Sequence, residues 1–384
     1  MQRRAFALAV AGLGARVAEA AMPAAAASAA SAPPAPPAAV EAAPRRPAAA
    51  VAGRERVRVF ATTDRPLVQA LLEDFERRHP LLWVDYHELG SAELFERVQA
   101  AGDAGAEGPD VVWSSAMDLQ IKLVNDGHAA RHVSVHAARL PRWAVWKHEA
   151  YGTGPEPVGM VVRSELAPPA GLPRTHAALA ALLAAQGARL RGRIVTYDIA
   201  RAGLGYLLAA QDLIANPRHW ELVQALGRAA AAQHAESRSM LEQVAAGRAL
   251  LAYNVLGSYA EPFVRRHPGL AMVYFEDYTL VATRVAFVAR RAPNAAGGRL
   301  WLDHLLSVPG QQALARHGGL HPIRADAAEA GGSGPAGSPP GLLPGPRPTA
   351  ALRPITLGPG LLAHLDQSKR AAILRRWAAA FAAA

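Results

Sequence analysis

The 384-residue sequence predicts an α/β protein built on parallel sheet, and two observations carry that reading. Short Val-rich runs, too brief for helices, alternate with longer stretches whose apolar residues recur at helical spacing. At three of the turns from strand to helix stands a pair of hydroxyl residues or a pair of glycines: Thr62 and Thr63, Ser114 and Ser115, Gly203 and Gly205. The length leaves room for two lobes and a large core.

Taken in order, Val57 and Val59 alternate with Arg56 and Arg58 into Phe60, a half-buried strand. Thr62, Thr63 and Asp64 follow. Pro66 and the stripe Leu67, Leu71, Leu72, Phe75 then mark a helix capped by Thr63 or Asp64. Leu82–Tyr86 reads as a second strand, and Ser91 opens a helix carrying Leu94, Phe95 and Val98. Asp110–Trp113 is a third, buried strand ended by Ser114 and Ser115. Ser115 and Asp118 have the spacing of a capping box for the next helix, with Gly127 as its stop. The order β-α-β-α-β-α implies parallel strands with right-handed crossovers. The Thr pair and the Ser pair then share one sheet edge, where free N–H groups and helix dipoles suit a small anion. The alternative is that both serines only cap the helix.

Tyr151–Val162 breaks the alternation, because Gly152, Gly154, Pro155 and Pro157 forbid a regular helix. It reads as a crossing between lobes with Tyr151, Thr153 and Glu156 near the cleft, or as a surface turn. Thr175–Gln186 is a helix and Ile194–Tyr197 a strand. Gly203 and Gly205 let the backbone approach a ligand at the following junction, but they lack the third glycine of a dinucleotide fingerprint. Arg201 is a candidate counter-charge there, or a surface arginine. Ser239 and Glu242 form another capping box. Tyr253 and Tyr259 bracket a third junction, where a phenol can close over a ligand or lie in the core. Met272–Phe275 and Arg284–Val288 are further strands, with Tyr278 in the turn between them. Helices follow at Arg299–Leu306 and Gly310–His317. Residues 325–348 are Gly- and Pro-rich and read as a flexible insert, and Leu361–Phe381 as a basic amphipathic end.

Residues 1–20 have the build of an export signal: Arg3 and Arg4, a short apolar stretch, and the small-x-small site Ala18-Glu19-Ala20. A twin-arginine signal and a plain secretory signal fit equally. Residues 21–53, rich in Ala and Pro, read as a disordered tether. The mature chain is expected outside the cytoplasm. Its net charge of +10 falls to +8 once three Arg and one Glu leave with residues 1–20. The arginines are scattered, with no basic block, so nucleic acid is not expected as a partner. The absence of Cys excludes disulfides, thiol catalysis and iron–sulfur clusters. No catalytic motif occurs. His132 and His136 stand four apart without an acidic residue near them in sequence, so neither a metal site nor a cofactor is expected, and binding without chemistry is the simpler reading.

The stretches VRVFATTD, GPDVVWSSAMDLQIKLVNDG, YGTGPEPVGMVV, TYDIARAGLGY and WLDHLLSVPGQQALARHGGLHPI resemble those of periplasmic solute-binding proteins of bacterial ABC importers. The branch that includes ferric-iron and phosphoglycerate-transport binders is the most similar. LLAHLDQSKRAAILRRW at the carboxyl end also resembles that branch. The resemblance implies the type II periplasmic binding fold: two Rossmann-like lobes, a hinge and a ligand cleft between them. It places residues 54–151 and 280–384 in the first lobe and 152–279 in the second. It implies ligand held by Thr62, Thr63, Ser114, Ser115, Thr153, Glu156, Gly203, Gly205 and Tyr253, with Arg201 as the added candidate. The expected function is capture of a small anionic solute, a phosphorylated or carboxylated organic acid, by a monomer that delivers it to an ABC permease in the inner membrane. The alternatives are a ferric or ferric-chelate binder and a sensory subunit for a membrane histidine kinase. Bare iron fits less well, because no Tyr-Tyr pair occurs.

Overall fold

The computed structural model describes residues 51–104, 108–166, 171–318, 320–330 and 352–382. The expected export signal and nearly all of the expected tether lie outside the described residues. Among the described residues no helix is long and apolar enough to cross a membrane.

β1 (Glu55–Ala61), β2 (Leu82–Glu88) and β3 (Val111–Ser114) are parallel neighbours, as the alternation requires. α1 (Arg65–Arg78), α2 (Ser91–Ala104) and α3 (Met117–Asn125) follow them in turn. α1 buries Val68, Leu71, Leu72 and Phe75, spaced to form one apolar face. A short pair, β4 (Val145–Trp146), precedes the 14-residue β5 (Ala150–Arg163). Beyond it come α4 (His176–Ala185), α5 (Gly187–Leu190), β6 (Ile194–Tyr197), α6 (Gly203–Ala215), α7 (His219–Arg228), β7 (Ala232–His234), α8 (Ser237–Ala245), β8 (Leu251–Leu256), α9 (Gly257–Arg266) and β9 (Leu270–Val273). β10 (Thr279–Val288) leads to α10 (Ala295–Leu306), α11 (Val308–Gly318) and α12 (Ala325–Ala330). β11 (Leu352–Pro354) and α13 (Gln367–Ala382) complete the order.

The strand order is β2-β1-β3-β10-β5-β8-β6-β7, with β11 on β10 and both β4 and β9 on β5. β5 has two sets of neighbours. Residues 151–157 run antiparallel to β10, while residues 158–163 pair with β8 and β9. β5 therefore joins the β1–β3 elements to the β6–β9 elements. One buried cluster, around Phe75, Trp113 and Trp301, joins the β1–β3 elements to α10, α11 and the adjoining parts of β5 and β10. Another, around Leu179, Leu226 and Phe275, lies among the β6–β9 elements, and a third draws residues from both sets.

Several expectations change. α3 begins at Met117, and the Asp118 carboxyl accepts from Leu119 N rather than from Ser115, so no capping box forms. Burial pushes the Asp118 carboxyl up to about 7. α8 begins at Ser237, two residues ahead of the predicted box, and the Ser239 hydroxyl turns to Glu236 O and His234. Residues 325–330 of the expected flexible insert form α12, and the rest of that insert falls outside the described residues. α13 packs on α7, not on the β1–β3 elements with which residues 280–384 were grouped. The histidine pair also differs: His132 Nε2 lies 3.0 Å from Asp303, an acidic partner 171 residues away.

One buried histidine predicts a pH response. His304 packs its ring against Phe75, and its Nε2 lies 3.5 Å from Asp74 without forming a hydrogen bond. Burial lowers its pKa to about 4; Asp74 pulls the other way, and Arg78 adds to the fall. The unfolded chain takes up this proton below its ordinary value near 6.5, while the folded chain resists until about pH 4. Stability present above pH 6.5 is therefore lost as pH falls from 6.5 towards 4, by about 3 kcal/mol for this group. His304→Asn is expected to show a smaller drop in melting temperature between pH 7 and 4.5 than the parent. Equal drops would remove His304 as the cause.

Candidate functional site

The carboxyl ends of β1 and β3 meet, as the parallel order predicts. Thr62 N donates to Trp113 O at 3.1 Å. The Thr62 hydroxyl lies 3.3 Å from the Ser114 hydroxyl and accepts from Ser115 N at 3.3 Å. Ser114 Oγ also accepts from Ala116 N at 3.2 Å, which shapes the turn into α3. The Ser115 hydroxyl has no partner among the described residues. Since the capping box does not form, this hydroxyl is not spent on the helix start. Thr62, Ser114 and Ser115 thus stand together at the amino end of α3, whose first N–H groups are taken up within the turn, so that the hydroxyls and the helix dipole are what favour an anion.

Beneath them lies an ion pair that was only half anticipated. Arg284, on β10, is 1% exposed and Glu156, on β5, is 0% exposed. Arg284 Nη2 donates to Glu156 Oε2 at 3.2 Å; Nε lies 3.2 Å from Oε1, off the line of a hydrogen bond. Arg284 Nη1 donates to the Thr63 hydroxyl at 2.9 Å, and the guanidinium sits 5.5 Å over the Tyr259 ring. Ser258, in the first turn of α9, donates its hydroxyl to Glu156. Burial alone would lower the pKa of Arg284. Glu156, Tyr259 and Tyr86 more than offset it and raise the value. The register places Arg284 in a bulge: Thr283 pairs with Pro155 but Val285 with Gly152, so β5 carries one extra residue here. Thr153, within that bulge, accepts from Trp113 Nε1 at 2.9 Å and donates to Arg284 O. The Gln311 amide holds the Thr153 carbonyl at 3.0 Å, and Ser307 Oγ accepts from Gly310 N at the start of α11. Ser307, Gly310 and Gln311, in the stretch WLDHLLSVPGQQALARHGGLHPI, therefore brace the crossing strand.

Contacts cross the crevice. Asp64 accepts from the Tyr259 phenol at 3.0 Å and pairs with Arg238 at the start of α8. A Cβ on Gly203 would lie 3.0 Å from Ser91, 3.2 Å from Leu119 and 3.3 Å from Ala116, so the first turn of α6 touches α2 and α3. Gly205 faces inward instead. A Cβ there would lie 2.4 Å from Tyr197, which makes it a helix-on-strand packing glycine rather than a ligand contact. Arg201 is exposed at the rim.

Tyr253 is displaced from its expected place. Gly159 pairs with Val255 but Val161 with Ala252, so β8 carries an extra residue, and Asn254 adopts φ 63°. That bulge turns Tyr253 into the interior, where its phenol donates to Asp212 at 3.2 Å beside Asn254 and Tyr278. Tyr259 takes the position beside the crevice. Tyr151 is likewise interior, donating to His132 O. The signal for Arg284 was present: it is the lone charge in TLVATRVAFV, and a charge in a buried strand requires a partner.

The pair predicts a test. Glu156→Gln leaves a buried guanidinium uncompensated and is expected to cost about 3–5 kcal/mol in denaturant unfolding. Glu156→Gln combined with Arg284→Met is expected to recover most of that loss. A single-variant cost under about 1 kcal/mol would show that the pair does not hold the crossing strands.

The family model for bacterial extracellular solute-binding protein matches residues 57–319. The substrate-binding protein of an ABC transporter from Agrobacterium tumefaciens superposes with a TM-score of 0.76 at 33% identity, over 86% of this chain and 95% of that one. AfuA of Actinobacillus pleuropneumoniae, solved with fructose-6-phosphate, gives 0.66 at 14% identity over 86% and 99%. Iron-bound HitA of Pseudomonas aeruginosa gives 0.65 at 14% over 85% and 99%. No curated protein matches the sequence. The fold is that of periplasmic binding proteins, and such proteins bind their substrates without transforming them. With the matched segment spanning every element from β1 to α11, the chain belongs to the bacterial extracellular solute-binding protein family, whose members serve ABC transporters.

Proposed function

We propose that the chain captures a small anionic solute, a phosphorylated or carboxylated organic acid, in the crevice between two lobes and delivers it to an ABC permease in the inner membrane. The lobes are the β1–β3 and β6–β9 sets, joined through β5 and β10. Export by residues 1–20 would bring the chain to the periplasm.

One observation carries the choice of an anion: the unspent Ser115 hydroxyl beside Thr62 and Ser114 at the amino end of α3. The hydroxyls there, set at the positive end of the helix dipole, favour an anion without a further positive charge. Thr63, Thr153 and Glu156 then act one layer down, by holding Arg284 and the strand bulge. Ferric iron is the weaker reading. Among the described residues no group of three or more His, Asp or Glu is placed to hold a metal ion.

Native mass spectrometry of the protein purified from its own export compartment tests the proposal. A phosphorylated or carboxylated acid released on denaturation is the expected result, and an iron-bearing mass overturns it. With the solute so identified, Ser115→Ala is expected to weaken binding about tenfold at unchanged melting temperature. Ser114→Ala should weaken binding and also cost about 1 kcal/mol of stability, because its oxygen shapes the turn. Unchanged affinity in both variants would place the solute elsewhere.

A further inference from the structure

The carboxyl-terminal segment touches both sets of elements in turn. β11 pairs with β10, and Ile355 N continues the ladder to Val281 O at 2.9 Å. Leu357 N then donates to Trp143 O at 2.8 Å, just ahead of β4, and the turn Pro359–Leu362 packs on α3. All of these anchors lie with the β1–β3 elements or on the crossing strand β10.

From there the segment passes to the other side. The Tyr206 phenol of α6 donates to His364 O, and Arg370 lies 4.9 Å over the Tyr206 ring. α13 packs along α7: Arg376 stands 4.3 Å over Trp220, and Trp377 Nε1 donates to Gln233 Oε1 at 2.8 Å beside β7. A Cβ on Gly227 would lie 1.9 Å from Ala380 O, so the two helices touch backbone to backbone. Ile355, Leu357, Leu361, Ile373 and Trp377 are all buried in the one cluster that draws on both sets of elements.

We propose that residues 355–382 form a strap, a third connection besides β5 and β10, which holds the two lobes closed until it yields. Hinge opening separates α6 from α3, as the first turn of α6 now touches α2 and α3. The strap grips α3 through Pro359–Leu362 and α6 and α7 through His364–Phe381. Opening therefore strips buried apolar surface from one end of it, which adds to the cost of the open state. The inference rests on the two-lobed reading but not on the nature of the solute, and its test contains no solute.

Because the chain has no Cys, a label pair can be placed cleanly. Glu96→Cys on α2 and Ala200→Cys before α6 are both exposed and lie on opposite sides of the crevice. Spin-label distances between them would be measured in the parent, in a chain ending at Asp366, and in Gly227→Ala. The last keeps every residue of the strap but drives the Ala380 carbonyl off α7. The expected result is a longer population that takes a clearly larger share in the truncated chain than in the parent. Should the truncated chain fail to fold, by its circular dichroism melting transition, Gly227→Ala is expected to show the longer population. A distribution that overlays the parent's in the folded variant overturns the proposal. So does a parent that already populates the longer distance as fully as the variant. Neither outcome bears on whether the solute is an anion, which the released mass decides separately.

Discussion

The structure depends on one buried ion pair. Arg284 and Glu156 sit on the two strands that join the halves of the sheet, and neither reaches water. Two charges taken out of solvent cost several kcal/mol each unless their remaining groups are satisfied. Thr63 and Ser258 supply part of that satisfaction, one from each side of the crevice, and the Tyr259 ring covers the guanidinium, while Arg284 Nε and Glu156 Oε1 meet only as opposite charges. The pair thereby fixes where the end of β1, the start of α9 and the bulge of β5 lie relative to one another. It also leaves the centre of the crevice nearly neutral. On the proposed reading an anion is met by hydroxyls at the positive end of a helix dipole rather than by an arginine held open for it.

Two bulges reshape the strands beside this pair. Where β5 passes Arg284 it gains a residue, and Thr153 can bridge Trp113 and the Arg284 carbonyl. Where β8 passes β5 it gains a residue too, and Asn254 takes a left-handed conformation. Each bulge re-aims side chains on a strand that would otherwise simply alternate. Closure is similarly shared among modest contacts: Asp64 with Tyr259 and Arg238, Gly203 against Ala116 and Leu119, and the carboxyl-terminal segment laid over both sides. An exposed pair such as Asp64–Arg238 contributes little by itself. The buried apolar contacts of the strap contribute more, which is why the strap is the better lever on opening.

Much of the site was legible from local pattern. The strand runs ending at Ala61 and Trp113, with helices after each, required parallel neighbours, and parallel neighbours required Thr62 and Ser114 to meet. Glu156 was legible because Gly and Pro around it marked a crossing. Tyr253 and Gly205 were misplaced for a common reason. Periodicity says which face a residue takes only while the period holds, and β8 slips by one residue at Asn254. For Gly205, a missing side chain is equally suited to a ligand or to a neighbouring tyrosine, and only the distance to Tyr197 distinguishes them. The capping box at Ser239 failed because its hydroxyl bonds to Glu236 O instead, and the one at Ser115 failed because α3 starts one residue later than its spacing requires, with Ala116 before the first turn.

By itself the sequence determined the α/β class, the parallel order of the first three strands, the crossing at residues 151–162 and the convergence of the threonine and serine pairs. These follow from local apolar spacing and the fixed handedness of crossovers, which act over tens of residues. Only the tertiary structure decided that Arg284 answers Glu156 across 128 residues, that Tyr259 rather than Tyr253 stands at the crevice, and that the final helix lies on α7. Those are pairings between distant segments. Their partners are selected by burial and charge balance in the assembled core, and no local pattern in a single chain encodes them.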